Sequence, residues 1–121
     1  MTNEIIVPII YGEQEYHLSP TAISYIVIRK ELPSMCEIHL NLWDNTKIIQ
    51  TSCDLLEATE NKYTPKVESG DLWLMFPYTS ISFYSLAVGN YISVLLTNGS
   101  VLKIPDNTEW RDAVSKWWEN N

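Results

Sequence analysis

Glycine is scarce in this chain, four in 121 residues, and none stands in a GxGxxG or GKS/GKT setting. A backbone cradle for nucleotide phosphate needs such spacing, because only glycine lets successive amides approach the anion, so a nucleotide-dependent enzyme is not expected. The two cysteines, Cys36 and Cys53, are too few for a disulfide framework. With no export signal beside them they are expected to be reduced. The two histidines, His17 and His39, complete a nominal Cys2His2 set. Cys36 and His39, however, lie three apart in a period-two run, and odd separations on a strand point to opposite faces. Neither a shared metal nor a nucleophile and base pair is expected there, and no cofactor or catalytic residue is assigned.

Basic residues are also few: eight Lys and Arg against fifteen Asp and Glu, a formal net charge of −7 and a pI near 4.6. Phosphate binding draws its affinity from Lys and Arg releasing condensed counterions, so nucleic acid and anionic membrane are expected to be poor partners. An acidic field attracts basic macromolecules instead. The amino terminus, Met1 to Pro8, has no basic segment followed by a long apolar core, and no apolar run is long enough to cross a bilayer. A cytoplasmic location is the expectation. What the chain has in quantity is apolar and aromatic residues: 45% hydrophobic, with five Trp and seven Tyr. That is the composition of a folded domain, and the length suits a single one over residues 1–121.

The carboxy-terminal third is the most ordered in pattern. Ser80 to Val88 and Tyr91 to Leu96 flank Gly89-Asn90, and Asn98-Gly99 separates the second run from Val101 to Ile104. Both dipeptides tolerate positive φ, as tight hairpin turns require, so an antiparallel meander is predicted. Asn98-Gly99-Ser100 is formally a glycosylation sequon but reads as a hairpin tip. Pro105 ends the last strand, and Asp106 with Glu109 fits a capping box. Trp110, Ala113, Val114 and Trp117 then follow at i, i+3, i+4 and i+7, the stripe of an amphipathic helix that must dock on the sheet.

Upstream, Glu4 to Tyr11 reads as an edge strand interrupted by Pro8, followed by a short strand around Tyr16 and Leu18 and another over Ala22 to Ile28. Cys36, Ile38, Leu40 and Leu42 alternate with Glu37, His39, Asn41 and Trp43, the cleanest period-two pattern present. Lys47 to Gln50 would pair with it. Residues 59–71 form the longest polar stretch and read as a loop, before Leu72 to Phe76 resumes as a strand. The fold class is therefore α+β and mainly antiparallel: roughly seven to eight strands in a curved sheet or partly open barrel, with a C-terminal amphipathic helix packed on it.

The run from Ile92 to Ile104 followed by Glu109-Trp110 through Trp117 resembles the last hairpin and capping helix of pleckstrin-homology-like domains, with Trp110 at the position of the Trp that closes the barrel in that family. The phosphoinositide-binding members carry Lys and Arg around their first hairpin, whereas the corresponding turn here is Gly12-Glu13-Gln14-Glu15. The resemblance thus implies the fold and an adaptor role without the lipid.

Candidate binding residues follow from exposure and charge. If Cys36, Ile38 and Leu40 face the core, His39 and Trp43 face outward, and a surface Trp is a common interface anchor. Asp54, Glu57, Glu60, Glu68 and Asp71 outnumber Lys62 and Lys66 in the segment best suited to a binding loop. Glu13 with Glu15, and Asp54 with Glu57, are the carboxylate pairs a small hydrolase could use, though each is equally a turn or a cap. In being small, acidic, aromatic-rich and without a catalytic motif, the chain resembles bacterial toxin-immunity proteins of the contact-dependent growth inhibition type. That resemblance implies a non-enzymatic inhibitor that occludes the active site of a basic toxin, such as a nuclease. A generic interaction module, pleckstrin-like or of phage origin, is the alternative. Oligomeric state is not legible in the sequence.

Overall fold

The computed structural model describes residues 7–11, 14–18, 22–40, 48–53, 62–87 and 89–120. Among these residues there are ten strands: β1 (Val7–Tyr11), β2 (Gln14–Leu18), β3 (Ile23–Arg29), β4 (Met35–Leu40), β5 (Ile48–Ser52), β6 (Val67–Ser69), β7 (Leu72–Met75), β8 (Ile81–Ala87), β9 (Tyr91–Leu96) and β10 (Val101–Pro105). One α-helix, α1 (Thr108–Asn120), follows them. All pairings between the strands are antiparallel. They form three open sheets: β1-β2, a central β5-β4-β3-β7-β6, and β10-β9-β8.

The α+β class, the antiparallel meander and the docked terminal helix stand as read from the sequence. The strand count is higher, partly because residues 59–71 are not wholly loop. Val67–Ser69 pairs with β7 around a turn in which Gly70 takes φ +61°. A three-residue strand with one apolar side chain leaves no periodicity to detect.

The central sheet is covered on both faces, which explains its sequence. One face carries Ile23, Ile26, Ile28, Cys36, Ile38 and Leu40, packed with Tyr63. The opposite face carries Val27, Leu74 and Val67, which join Ile92, Val94, Leu96 and Ile104 of the three-stranded sheet and Trp110 and Val114 of α1. A strand buried on two sides has no polar face to alternate with, so β3 reads as a nearly continuous apolar run. β4 does alternate, with Cys36, Ile38 and Leu40 buried between half-exposed Glu37 and His39.

The β8–β9 turn has both Gly89 (φ +102°) and Asn90 (φ +66°) in the left-handed region, the demand that the Gly-Asn dipeptide announces. At the helix start the cap is Asn107, not Asp106: the Asn107 side-chain oxygen accepts from the Trp110 amide at 2.9 Å. Asp106 instead pairs with Arg111 at 2.8 Å.

The expectation of reduced, independent cysteines is corrected. Cys36 and Cys53 form a disulfide, with their Cα atoms 5.3 Å apart. The β4–β5 register sets Cys36 opposite Thr51 and Met35 opposite Ser52, and the Cys53 amide donates to the Ser34 carbonyl at 2.9 Å. Strand pairing across 17 residues brings the two sulfurs together, and no local signal announces it.

Trp110 is completely buried among both sheets, whereas the Asn107 cap is a single exchangeable hydrogen bond. Trp110→Ala is expected to cost about 3–5 kcal/mol and Asn107→Ala about 1 kcal/mol. Urea unfolding of the two variants against wild type checks this ordering, and a Trp110 loss no larger than that of Asn107 would contradict the core described above.

Candidate functional site

Two polar clusters sit on the central sheet. The first lies on the face of β3 and β4 that bears Val27. Cross-strand pairing sets Tyr25 opposite His39, and their rings stack with centroids 4.2 Å apart and planes 17° off parallel. One step along, Glu37 accepts a fork from Arg29, Nε to Oε2 at 2.9 Å and Nη2 to Oε1 at 3.2 Å. Desolvation holds the His39 pKa below its ordinary value, opposed by the Glu37 charge and reinforced by Arg29. Burial raises the Tyr25 phenol, and the Glu37 charge adds to the rise. The neutral forms of both rings are thus favoured, which suits stacking and hydrogen bonding more than charge.

The second cluster lies on the other face, at the β3-β7-β6 side. Trp73 of β7 pairs with Ile28 of β3 and with Glu68 of β6, so it stands at the border of the Ile28 core. Lys30, just past β3, and Lys66, just before β6, each place an ammonium 5.6 Å from the centroid of the Trp73 ring. That is within the range of cation–π attraction. Lys30 also binds Glu68 at 2.5 Å, and its amide donates to the Asp71 carbonyl at 3.0 Å. Two ammonium groups gathered at one aromatic ring can take an anion between them and a flat ring at the indole edge.

Of the residues singled out from sequence, His39 faces away from Cys36 as strand parity requires. Glu68 is exposed but engaged with Lys30, and Asp71 is exposed at the β6–β7 turn. Asp54, Glu57, Glu60 and Trp43 lie outside the described residues. Glu68 and Asp71 thus lie beside a basic and aromatic cluster. Lys30, Lys66 and Trp73 were not singled out. The available signal was spacing: Lys66, just before β6, is two residues from Glu68, and Trp73 is the residue that a turn at Gly70 sets opposite Glu68.

No family model matches the sequence, and no curated protein matches it. Among solved structures, the chain is similar to one described as the LytTr DNA-binding domain of a response regulator from Bacillus cereus, with a TM-score of 0.52 and 8% identity over 95% of this chain and 94% of that one. At that identity the likeness is one of fold.

The likeness corrects two expectations. The immunity or toxin-inhibitor role, with a basic toxin as partner, rested on an overall profile, and the shared fold belongs to a DNA-binding domain instead. The exclusion of nucleic acid rested on a net charge of −7, which is a sum over the whole chain. Phosphate meets only the charges within about a Debye length, roughly 8 Å at physiological salt, so the sum over the chain does not describe a surface such as the one where Lys30 and Lys66 converge on one ring with Glu68 paired to Lys30.

The His39 shift has a sign that can be measured. Because the folded pKa lies below the unfolded value near 6.5, the unfolded chain binds more protons just under that pH, and stability falls as pH drops through the window. His39→Gln removes this contribution. Thermal melts at about pH 7.5 and 5.5, either side of the unfolded histidine pKa, are expected to show a smaller loss for the variant, and equal losses would refute the assignment.

Proposed function

We propose that this chain is a nucleic-acid-binding module, with duplex DNA as its partner and the Lys30–Trp73–Lys66 cluster as part of its contact surface. The observation that carries the reading is the fold likeness to a DNA-binding domain along nearly the full length of both chains. The cluster supports it with the two components that contact with a nucleic acid uses, cations for phosphate and an aromatic surface for sugar or base. The helix is a poor candidate for the contact. Its Trp110 and Val114 are buried, and its exposed positions include Glu109, Asp112 and Glu119. In this reading the phosphate contact is made from the central sheet and its turns, not by a helix laid in a groove.

Among the described residues, no helix is long and apolar enough to cross a membrane. A DNA partner goes with a cytoplasmic site of action, where the Cys36–Cys53 pair would meet a reducing pool.

Fluorescence anisotropy with mixed-sequence duplex DNA tests the proposal. Binding at low salt is expected, with Kd in the non-specific range of about 10⁻⁴–10⁻⁶ M. Two phosphate contacts would give a slope of about −1.8 in log K against log salt, roughly a tenfold loss between 50 and 200 mM. The double substitution Lys30→Ala with Lys66→Ala should flatten that slope by about 1.8, and Glu68→Gln, which frees Lys30, should tighten binding. No binding to duplex at low salt, or binding indifferent to all three substitutions, would refute the reading.

A further inference from the structure

The outer face of the three-stranded sheet has no occupant within the described chain. Its pairing lays the residues out in rows across β8, β9 and β10: Phe83-Leu95-Val101, then Ser85-Ser93-Lys103, then Ala87-Tyr91-Pro105. The inner face, with Ile92, Val94, Leu96 and Ile104, is buried against α1 and the central sheet. On the outer face Phe83 is 52% exposed, Val101 59% and Tyr91 50%. Antiparallel sheets usually turn a polar face to water. Here the solvent side of the outer rows is largely apolar, and Lys103 is its single charge.

We infer that this face is a self-association surface, occupied by a second copy of the same chain related by a two-fold axis running parallel to β9. The register carries the argument. A rotation about such an axis keeps each row in place and exchanges β8 with β10. Leu95 then meets Leu95 and Tyr91 meets Tyr91, while Phe83 of one copy meets Val101 of the other. Lys103 falls opposite Ser85, a hydroxyl that can accept from it. A two-fold axis perpendicular to the strands and centred on the middle row would instead set Lys103 against Lys103, so charge selects between the two packings.

Charge also favours a second copy over other surfaces of the same molecule. The chain carries −7 overall, and two copies repel wherever their acidic surfaces approach. The outer rows of this sheet offer an approach with no carboxylate among them. Aligned packing of twisted sheets at about 10 Å separation accommodates side chains of this size. Three strands about 4.8 Å apart and three rows about 6.8 Å apart cover roughly 300 Å², against about 800 Å² per partner in a standard interface. Dimerisation is accordingly weak, with Kd on the order of 100 µM, in the range of small interfaces.

Sedimentation velocity on the full chain tests this. Wild type should pass from monomer to dimer between about 10 µM and 1 mM, the interval that brackets the Kd argued from the area. Phe83→Lys and Val101→Glu should each remain monomeric, with far-UV circular dichroism and melting temperature showing that both are folded. An equimolar mixture of these two variants should dimerise again. In the mixed pair one contact joins the introduced ammonium to the introduced carboxylate, and the other retains the native Phe83–Val101 contact. Leu32→Glu, at an exposed apolar residue on the β3–β4 turn, should dimerise as wild type does. A wild type that stays monomeric at about 1 mM, far above the Kd argued from the area, leaves the face to some other partner and overturns the inference. A dimer untouched by the two substitutions, or a mixture that stays monomeric, overturns it as well.

Discussion

The packing of one indole holds the molecule together. Trp110 lies edge-on to Phe76, with centroids 5.9 Å apart, and edge-on to Tyr84, with centroids 5.4 Å apart. Phe76 follows the last strand of the central sheet's hairpin and Tyr84 belongs to the three-stranded sheet, so a single side chain of α1 bridges both sheets. Two further stacks, Tyr78 on Trp117 and Tyr84 on Trp118, extend the contact along the helix. The Trp110 Nε1 is buried with no partner among the described residues. An unsatisfied donor costs about 1–3 kcal/mol, and the area and edge contacts of a fully buried indole exceed that.

This arrangement decides where contact chemistry can sit. With its apolar stripe committed to the interior, α1 shows solvent an acidic side, and the inner faces of both sheets are used for packing. Among the described residues, two surfaces left over contrast most: the border of the central sheet, where Lys30, Lys66 and Trp73 gather, and the outer face of the three-stranded sheet. The first is charged and aromatic, the second apolar. Surfaces of such different chemistry on one small chain are suited to different partners.

The elements that could be read from sequence are those whose signal is local. The Gly89-Asn90 and Asn98-Gly99 turns, the alternation from Cys36 to Leu40 and the Trp110-Ala113-Val114-Trp117 stripe each depend on residues a few positions apart. They survive in the fold, though at Asn98-Gly99 only Gly99 takes positive φ and Thr97 joins the loop. What escaped depends on pairing at a distance. The Cys36–Cys53 bond needs the β4–β5 register, and β6 needs the Gly70 turn and β7 before Val67 has anything to pair with. The site was less legible still. His39 was placed correctly by parity, but Lys30, which pairs with Glu68, arrives from a strand distant in sequence and was not singled out. The Asn107 cap shows the same limit on a smaller scale, since Asp106 and Asn107 are both good caps and only geometry chooses between them.

Net charge misled for a related physical reason. A charge of −7 governs the field many ångströms from the surface, where all groups are summed, and there it repels a polyanion. At contact, screening confines the interaction to the nearest groups, which around Trp73 are Lys30 and Lys66 together with Glu68, the ion-pair partner of Lys30. The long-range field still has consequences. It removes the steering and the broad sequence-independent attraction that basic DNA-binding proteins enjoy, so the proposed binding to duplex would have to take its affinity from a few short-range contacts. On the proposed reading, weak pairing of two copies through a sheet face with one charge, Lys103, would add affinity, because the second copy would then bind at high effective concentration. On that reading the acidic composition and the apolar outer face would be parts of one solution: low general attraction for nucleic acid, compensated by contacts that form only at close range.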